Sequence, residues 1–154
     1  MSPRNKVFIS RIESELAELD EVVKRVMSAW HYAMEQRNDL FLDAAALNLH
    51  GFYSGIERIF ESIAKEIDQS VPSGLSWHRE LAYQMTMEID SVRPPVITKA
   101  TCKMLDEYRG FRHVVRNVYT YNLSEDRLRD LVAGLESGYA QVKRELGTFL
   151  ANIA

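Results

Sequence analysis

The chain has 154 residues, 46% of them apolar, so we expect one domain over residues 1–154 rather than two. A net charge of -3 excludes a protein that coats nucleic acid by bulk electrostatics, but it permits a local basic patch. The single cysteine, Cys102, excludes an internal disulfide and a cysteine-cluster metal site. No apolar run resembles a signal peptide or reaches the roughly 18 residues of a membrane span, so we expect a soluble cytoplasmic protein.

Two long amphipathic helices are predicted in the first half of the chain. From about Asn5 to Gln36, apolar residues recur in steps of three and four, which is the helical period. Asn38 or Asp39 then offers an N-cap for a second helix that continues to about Gln69.

Two glycines, Gly51 and Gly55, lie within the second predicted helix. Each costs about 1 kcal/mol of helix propensity relative to alanine. We therefore expect another element to pack closely against the helix at these positions.

The second half of the chain predicts one short helix and two more long ones. Ser73 or Ser76 can cap the short helix, which ends before the two prolines at 94–95. Thr98 is the expected N-cap of a fourth helix that runs through Val118, and Ser124 caps a last helix with acidic residues in its first turn. No sustained period-two pattern suggests a strand. The predicted fold is all-α, an antiparallel bundle of four long helices plus one short helix.

A basic stretch at the end of the fourth predicted helix is the most informative part of the sequence. Residues 108–123 hold three arginines, a histidine and three tyrosines, with no acidic residue. On a helix, one stripe would contain Arg109, Arg112, Arg116 and Tyr119. The opposite side would pack inward through Phe111, Val115 and Val118. The alternative interpretation is a solvated cationic face.

Other chemistry has little support. None of the four histidines has an acidic residue three positions before it, so a di-metal helical bundle is excluded, and phosphate-loop, zinc-protease and nucleophile-elbow motifs are absent. We interpret His31 and His50 as packing residues, whereas His78 is uninformative. His113 lies between Arg112 and Arg116, which disfavours its charged form and makes it a possible polar contact or base.

The run from Arg112 to Tyr119 resembles the signature of the HEPN superfamily, and more narrowly that of HepT-like toxins. The family pattern is an arginine followed by a polar residue, three further residues, a histidine, one residue and a tyrosine. Arg112 matches the catalytic arginine, His113 the polar residue and Tyr119 the final tyrosine. Asn117 stands where the family has its catalytic histidine.

The resemblance extends over most of the chain through two further segments, residues 49–60 and 76–81. It implies a HEPN-like helical bundle that acts as a homodimeric, metal-independent endoribonuclease without a cofactor. In that chemistry the 2'-hydroxyl of RNA attacks the adjacent phosphate, a histidine moves protons, and Arg112 stabilises the charge that develops on phosphorus. Arg109 and Arg116 are the expected RNA-binding residues.

The resemblance also implies a partner, since the toxins of type VII HepT/MntA-like toxin–antitoxin systems are neutralised by an MNT-type nucleotidyltransferase antitoxin. That enzyme attaches adenylate to the tyrosine that corresponds to Tyr119. On a regular helix Tyr119 lies about 20° from Arg112, two turns later, so an added phosphate could pair with Arg112.

Asn117 departs from the family pattern in a way that affects catalysis. An amide can hold a phosphate oxygen or a 2'-hydroxyl, but it cannot act as a base or an acid. General acid–base catalysis is typically worth about 10²- to 10⁴-fold, so we expect binding to persist and cleavage to be low or absent.

Three explanations stay open: a change made to tolerate a toxic protein, a natural lineage with reduced cleavage, or a transfer of the proton-moving role to His113. On a regular helix about 140° separates Arg112 from Asn117, so either the helix bends or a partner subunit completes the site.

The alternative function is a non-catalytic helical partner or substrate-binding subunit of a nucleotidyltransferase, with Tyr119 as the acceptor. A third hypothesis is a helical scaffold with a solvated charged face. The first two hypotheses require Arg112 and Tyr119 to face a shared basic groove between two copies of the chain. If Arg112 instead lies against acidic side chains of its own subunit, far from a second copy, both hypotheses fail and only a packed set of helices remains.

Overall fold

The computed structural model describes residues 2–154, which form five α-helices. Their bounds are α1, Pro3–Gln36; α2, Leu40–Ile63; α3, Trp77–Gln84; α4, Lys99–Asn117; and α5, Glu125–Ile153. Within residues 2–154 there is no strand, and one isolated bridge joins Ile89 to Arg93. The predicted class, an all-α bundle of four long helices and one short helix, is confirmed.

The helix N-termini follow the capping residues of the sequence. The Thr98 hydroxyl accepts from the Thr101 amide, and the Ser124 hydroxyl accepts from the Arg127 amide, so each satisfies a backbone donor of the first turn. Asp39 occupies the N-cap position of α2, and Ser76 that of α3.

Three helix ends differ from the prediction. The last turn of the second predicted helix is a π-helical segment, Ala64–Asp68, which ends at Gln69 with a positive φ of 55°. The short helix α3 stops at Gln84, well before the prolines, and Met85 is buried beyond its end. The helix α4 ends at Asn117, so Val118 is extended and 42% exposed instead of packing inward.

The core is built around α2, which packs against all four other helices. Buried apolar side chains from every helix join one cluster, with Phe52, Tyr53 and Phe60 among the largest that are fully buried. Gly55 allows this packing, because a Cβ there would lie 2.5 Å from Leu19 Cδ2. The expectation for Gly51 is wrong, since a Cβ there would meet no atom within 4 Å. No helix within residues 2–154 has an apolar stretch suited to a bilayer.

Candidate functional site

Arg112 lies buried where α2, α3 and α4 meet. Its Nη1 donates to Glu57 Oε1 at 2.9 Å and its Nη2 donates to Glu57 Oε2 at 3.3 Å. Nη1 also lies 3.4 Å from the Ser54 hydroxyl, and the guanidinium sits 5.3 Å from the centroid of the Tyr53 ring. Both charged side chains are less than 10% exposed, so the two charges are withdrawn from water together.

His78, on the first turn of α3, completes this group. Its Nδ1 lies 2.6 Å from Glu57 Oε2 and 2.8 Å from Arg112 Nη2. The indole of Trp77 packs against the imidazole with ring centroids 3.6 Å apart. The His78 side chain is 28% exposed, and its Nε2 makes no hydrogen bond within residues 2–154. We call Glu57, His78 and Arg112 the polar cluster.

The expected cationic stripe on α4 is only partly correct. Arg112 is 7% exposed and is held by Glu57 of its own chain, which counts against a free arginine in an open basic groove. Arg109 forms a 2.7 Å ion pair with Asp106, which lies just before the acid-free stretch. Among residues 2–154, Arg116 has no acidic partner, so it is the exposed cation of the three. Tyr108 is buried, its hydroxyl donates to the Leu131 carbonyl at 2.6 Å, and burial raises its pKa to about 12.

Asn117 and His113 do not join the polar cluster within one chain. Both are exposed, and the Asn117 Nδ2 donates to the His113 carbonyl oxygen at 2.7 Å in the last turn of α4. Because α4 is continuous to Asn117, this residue faces away from the side on which Arg112 meets α2. Within one chain the two side chains do not meet, and completion of the site by a partner subunit stays a prediction.

Tyr119 lies beyond the end of α4, so the prediction that it shares a helical stripe with Arg112 is wrong. Its backbone is extended, and a short 3-10 turn, Thr120–Asn122, follows it. The side chain is 75% exposed and stacks on Tyr121 with ring centroids 6.0 Å apart. Tyr119 is thus an accessible phenol on the connection between α4 and α5.

His50 lies near the same cluster on α2. Burial, with further contributions from Arg112 and Arg116, lowers the pKa of His50. It is therefore neutral at neutral pH, and its role is not the charged one of a phosphate ligand.

Glu57 and His78 are functional candidates that the sequence interpretation missed. Glu57 lies at a core position of α2, among Tyr53, Ile56 and Phe60, which are all buried. An acidic residue at such a position requires a buried partner, so the sequence could have predicted a buried cation beside Glu57. His78 had no comparable signal, because its contacts depend on how α3 docks on α2 and α4. Among residues 2–154, no group of three acidic, histidine or cysteine side chains is arranged to hold a metal ion.

The comparisons with known proteins give one positive result. A family model described as HepT-like protein matches residues 44–153, which is more than half of the chain and includes most of α2, all of α3 to α5 and the whole polar cluster. No curated protein and no solved structure matches the chain.

Proposed function

Because the chain belongs to the HepT-like protein family, we propose that it is the toxin component of a type VII HepT/MntA-like toxin–antitoxin system. The family itself suggests a HEPN-type toxin–antitoxin component with a partner from that system. The finer proposal is a metal-independent endoribonuclease that acts on RNA as a homodimer, with low cleavage because Asn117 replaces the catalytic histidine. The observation that carries it is the family match over residues 44–153, which includes Arg112, Asn117 and Tyr119.

The polar cluster is difficult to explain as packing alone. Two ionised side chains lose their hydration when they are buried, and apolar residues of the same size would fill the space at no such cost. Buried ionisable groups with specific charged partners are candidates for a functional site. A cluster that combines a cation with a carboxylate and a histidine also has the groups that phosphoryl chemistry uses.

A second buried ion pair in the protein shows the contrast. Arg93 and Asp68 bind each other through two hydrogen bonds, of 2.5 and 2.8 Å. The remaining Arg93 donors are taken by three backbone carbonyls of the loops around α3, which makes this pair a structural clamp. In the polar cluster, by contrast, His78 Nε2 makes no hydrogen bond within residues 2–154, so it is available to bind a substrate or to accept a proton.

The surroundings of the cluster suit an RNA backbone. Arg79 follows His78 on α3 and lines an open cleft together with Lys99 and Lys103 of α4. Within residues 2–154 none of these three has an acidic partner. The cleft, which no residue of the polar cluster lines, also holds Asp106, and Asp106 pairs with Arg109. Arg79, Lys99 and Lys103, with Arg116 at the far end of α4, are therefore the cations left for phosphates.

Tyr119 is the proposed acceptor of adenylate from an MNT-type nucleotidyltransferase antitoxin. The support is its exposure on an extended connection, where a phenol can enter the active site of another protein. The earlier reason, alignment with Arg112 on one helix, does not hold, so an adenylate on Tyr119 would act by blocking the surface near Arg116.

The test is an RNA cleavage assay with four proteins: the native chain, Asn117→His, Arg112→Ala, and the two substitutions combined. We expect Asn117→His to raise cleavage by about 10²- to 10⁴-fold, the usual gain from a positioned acid or base. The combined variant should lose that gain, since the arginine no longer stabilises the phosphate. Arg144→Ala, which changes an exposed arginine on α5, is the control and should cut like the native chain. Absence of cutting in the native chain and in Asn117→His would refute the ribonuclease.

One observation favours the alternative, a non-catalytic partner of a nucleotidyltransferase. Arg112 is already neutralised by Glu57, and Asn117 cannot move a proton. The two functions separate when the chain is incubated with the nucleotidyltransferase and labelled ATP. Both predict label on Tyr119 and none on Tyr119→Phe, whereas only the toxin predicts cleavage by Asn117→His. Label without cleavage would establish the alternative.

A further inference from the structure

We propose that His78 is a further catalytic residue, which takes the proton of the attacking 2'-hydroxyl that Asn117 cannot take. This inference rests on the proposed ribonuclease function. It assigns the missing proton transfer to a residue on α3, outside the run from Arg112 to Tyr119.

The first argument is that His78 is held in one orientation. Glu57 contacts its Nδ1 at 2.6 Å, Arg112 lies 2.8 Å from the same nitrogen, and Trp77 covers one face of the ring. A carboxylate on one ring nitrogen fixes the tautomer and the ring plane, so that the other nitrogen is presented for reaction. Catalytic groups need this kind of support from neighbouring residues.

The second argument concerns the proton on the imidazole. We assign the proton of neutral His78 to Nδ1, where it is donated to the Glu57 carboxylate at 2.6 Å; Arg112 Nη2, 2.8 Å from the same nitrogen, then makes no hydrogen bond to it. The Nε2 then carries a lone pair. His78 is the most exposed side chain of the cluster, at 28%, and its Nε2 makes no hydrogen bond within residues 2–154.

The third argument is that the other histidines lack such an environment. His113 is exposed and has no side-chain hydrogen bond within residues 2–154 that would orient it. His31 pairs with Glu35, but both side chains are more than 60% exposed and neither contacts the cluster. His50 lacks a carboxylate partner within the same residues.

The proposed step balances as follows. His78 Nε2 accepts the proton of the 2'-hydroxyl while the 2'-oxygen forms a bond to phosphorus, and the bond from phosphorus to the 5'-oxygen breaks. The leaving 5'-oxygen takes a proton from water, and the imidazolium later returns its proton to solvent. The products are a 2',3'-cyclic phosphate and a 5'-hydroxyl. Glu57 stabilises the imidazolium, and Arg112 stabilises the charge on the phosphate.

The experiment measures RNA cleavage against pH for the native chain, His78→Gln, His78→Ala and the control His31→Gln. We expect His78→Gln to cut at least about tenfold more slowly than the native chain, with a pH profile that is flatter than the native one. Added imidazole should restore cutting to His78→Ala, because the site is open to solvent. His31→Gln should behave like the native chain. Thermal unfolding of each variant confirms that it is folded.

Each result decides whether His78 takes part in catalysis. Cleavage by Asn117→His tests separately whether the protein is a ribonuclease. Cutting by His78→Gln within about twofold of the native chain, with the same pH profile, overturns the role of His78 and leaves the ribonuclease in place. A loss without a changed pH profile and without rescue by imidazole also overturns it, because only packing was affected. If Asn117→His cuts and the native chain does not, His78 moves no proton. If neither cuts, the inference and the proposed function fail together.

Discussion

The ion pair between Glu57 and Arg112 makes a stability prediction that does not depend on any activity. Glu57→Leu leaves a buried guanidinium whose remaining side-chain contacts are the Ser54 hydroxyl and the neutral His78 ring, with no negative charge beside it. Removal of one partner from a buried pair typically costs about 3–5 kcal/mol, since the other charge is left uncompensated. For a chain of this size, each kcal/mol lowers the melting temperature by about 2–4 °C, so we expect a decrease on the order of 10 °C.

The double variant Glu57→Leu/Arg112→Met removes both charges and fills the space with apolar groups. Its free energy of unfolding should exceed that of Glu57→Leu, and the two substitutions should depart from additivity by about 2 kcal/mol or more. Urea unfolding followed by circular dichroism measures all three proteins.

The neighbouring residue provides the matched control. Arg58 forms a 2.7 Å ion pair with Glu15, but its side chain is 60% exposed. Exposed pairs contribute about 0–1 kcal/mol, so Arg58→Ala should change stability little. Two results would refute the account of a buried, mutually dependent pair. One is a loss of unfolding free energy for Glu57→Leu that is no greater than the loss for Arg58→Ala. The other is a loss for the double variant that equals the sum of the losses for its two single substitutions.

Two further predictions follow from the packing of α1. Gly55→Ala should lower the free energy of unfolding by about 1–3 kcal/mol, because its Cβ would overlap Leu19. Gly51→Ala should raise it by up to about 1 kcal/mol, because a Cβ there meets no atom and alanine favours the helix. Equal urea midpoints for the two variants would contradict both expectations. The Tyr139 hydroxyl donates to Asp20 at 2.7 Å and thereby lowers the pKa of Asp20. The stability from this hydrogen bond is present above the unfolded-state pKa of about 4 and is lost as the pH falls through the folded-state pKa of Asp20. Tyr139→Phe should therefore lose less free energy of unfolding than the native chain between pH 5 and 3. The same loss in both proteins would contradict this role of the hydrogen bond.

The sequence predicted the architecture well because the helical period and the caps are local properties. Apolar residues at steps of three and four define α1, and Thr98 and Ser124 begin α4 and α5 as expected. The end of α4 was less predictable. Val118 is β-branched and its backbone is extended, so α4 ends at Asn117 and the extrapolated stripe does not reach Tyr119.

The candidate site was predicted in part. Arg112 was identified from a local motif, but a helical wheel gives only the angle at which a residue projects and not what it meets. Its partner Glu57 is 55 residues earlier in the chain, and His78 is 34 residues earlier. These contacts depend on the docking of three helices, which no single helical pattern contains. An acidic residue on the apolar face of α2 was the one sign of a buried cation.

The early end of α4 has a consequence for how another enzyme would handle Tyr119. A tyrosine within a helix is flanked by the turns before and after it, so a modifying enzyme would have to bind the intact helix or unfold it locally. Residues 118–124 instead form a surface connection in which Leu123 packs against the core and Tyr119 is exposed on extended backbone. The bundle could therefore offer its phenol, and carry a bulky group there, without any rearrangement of the four long helices.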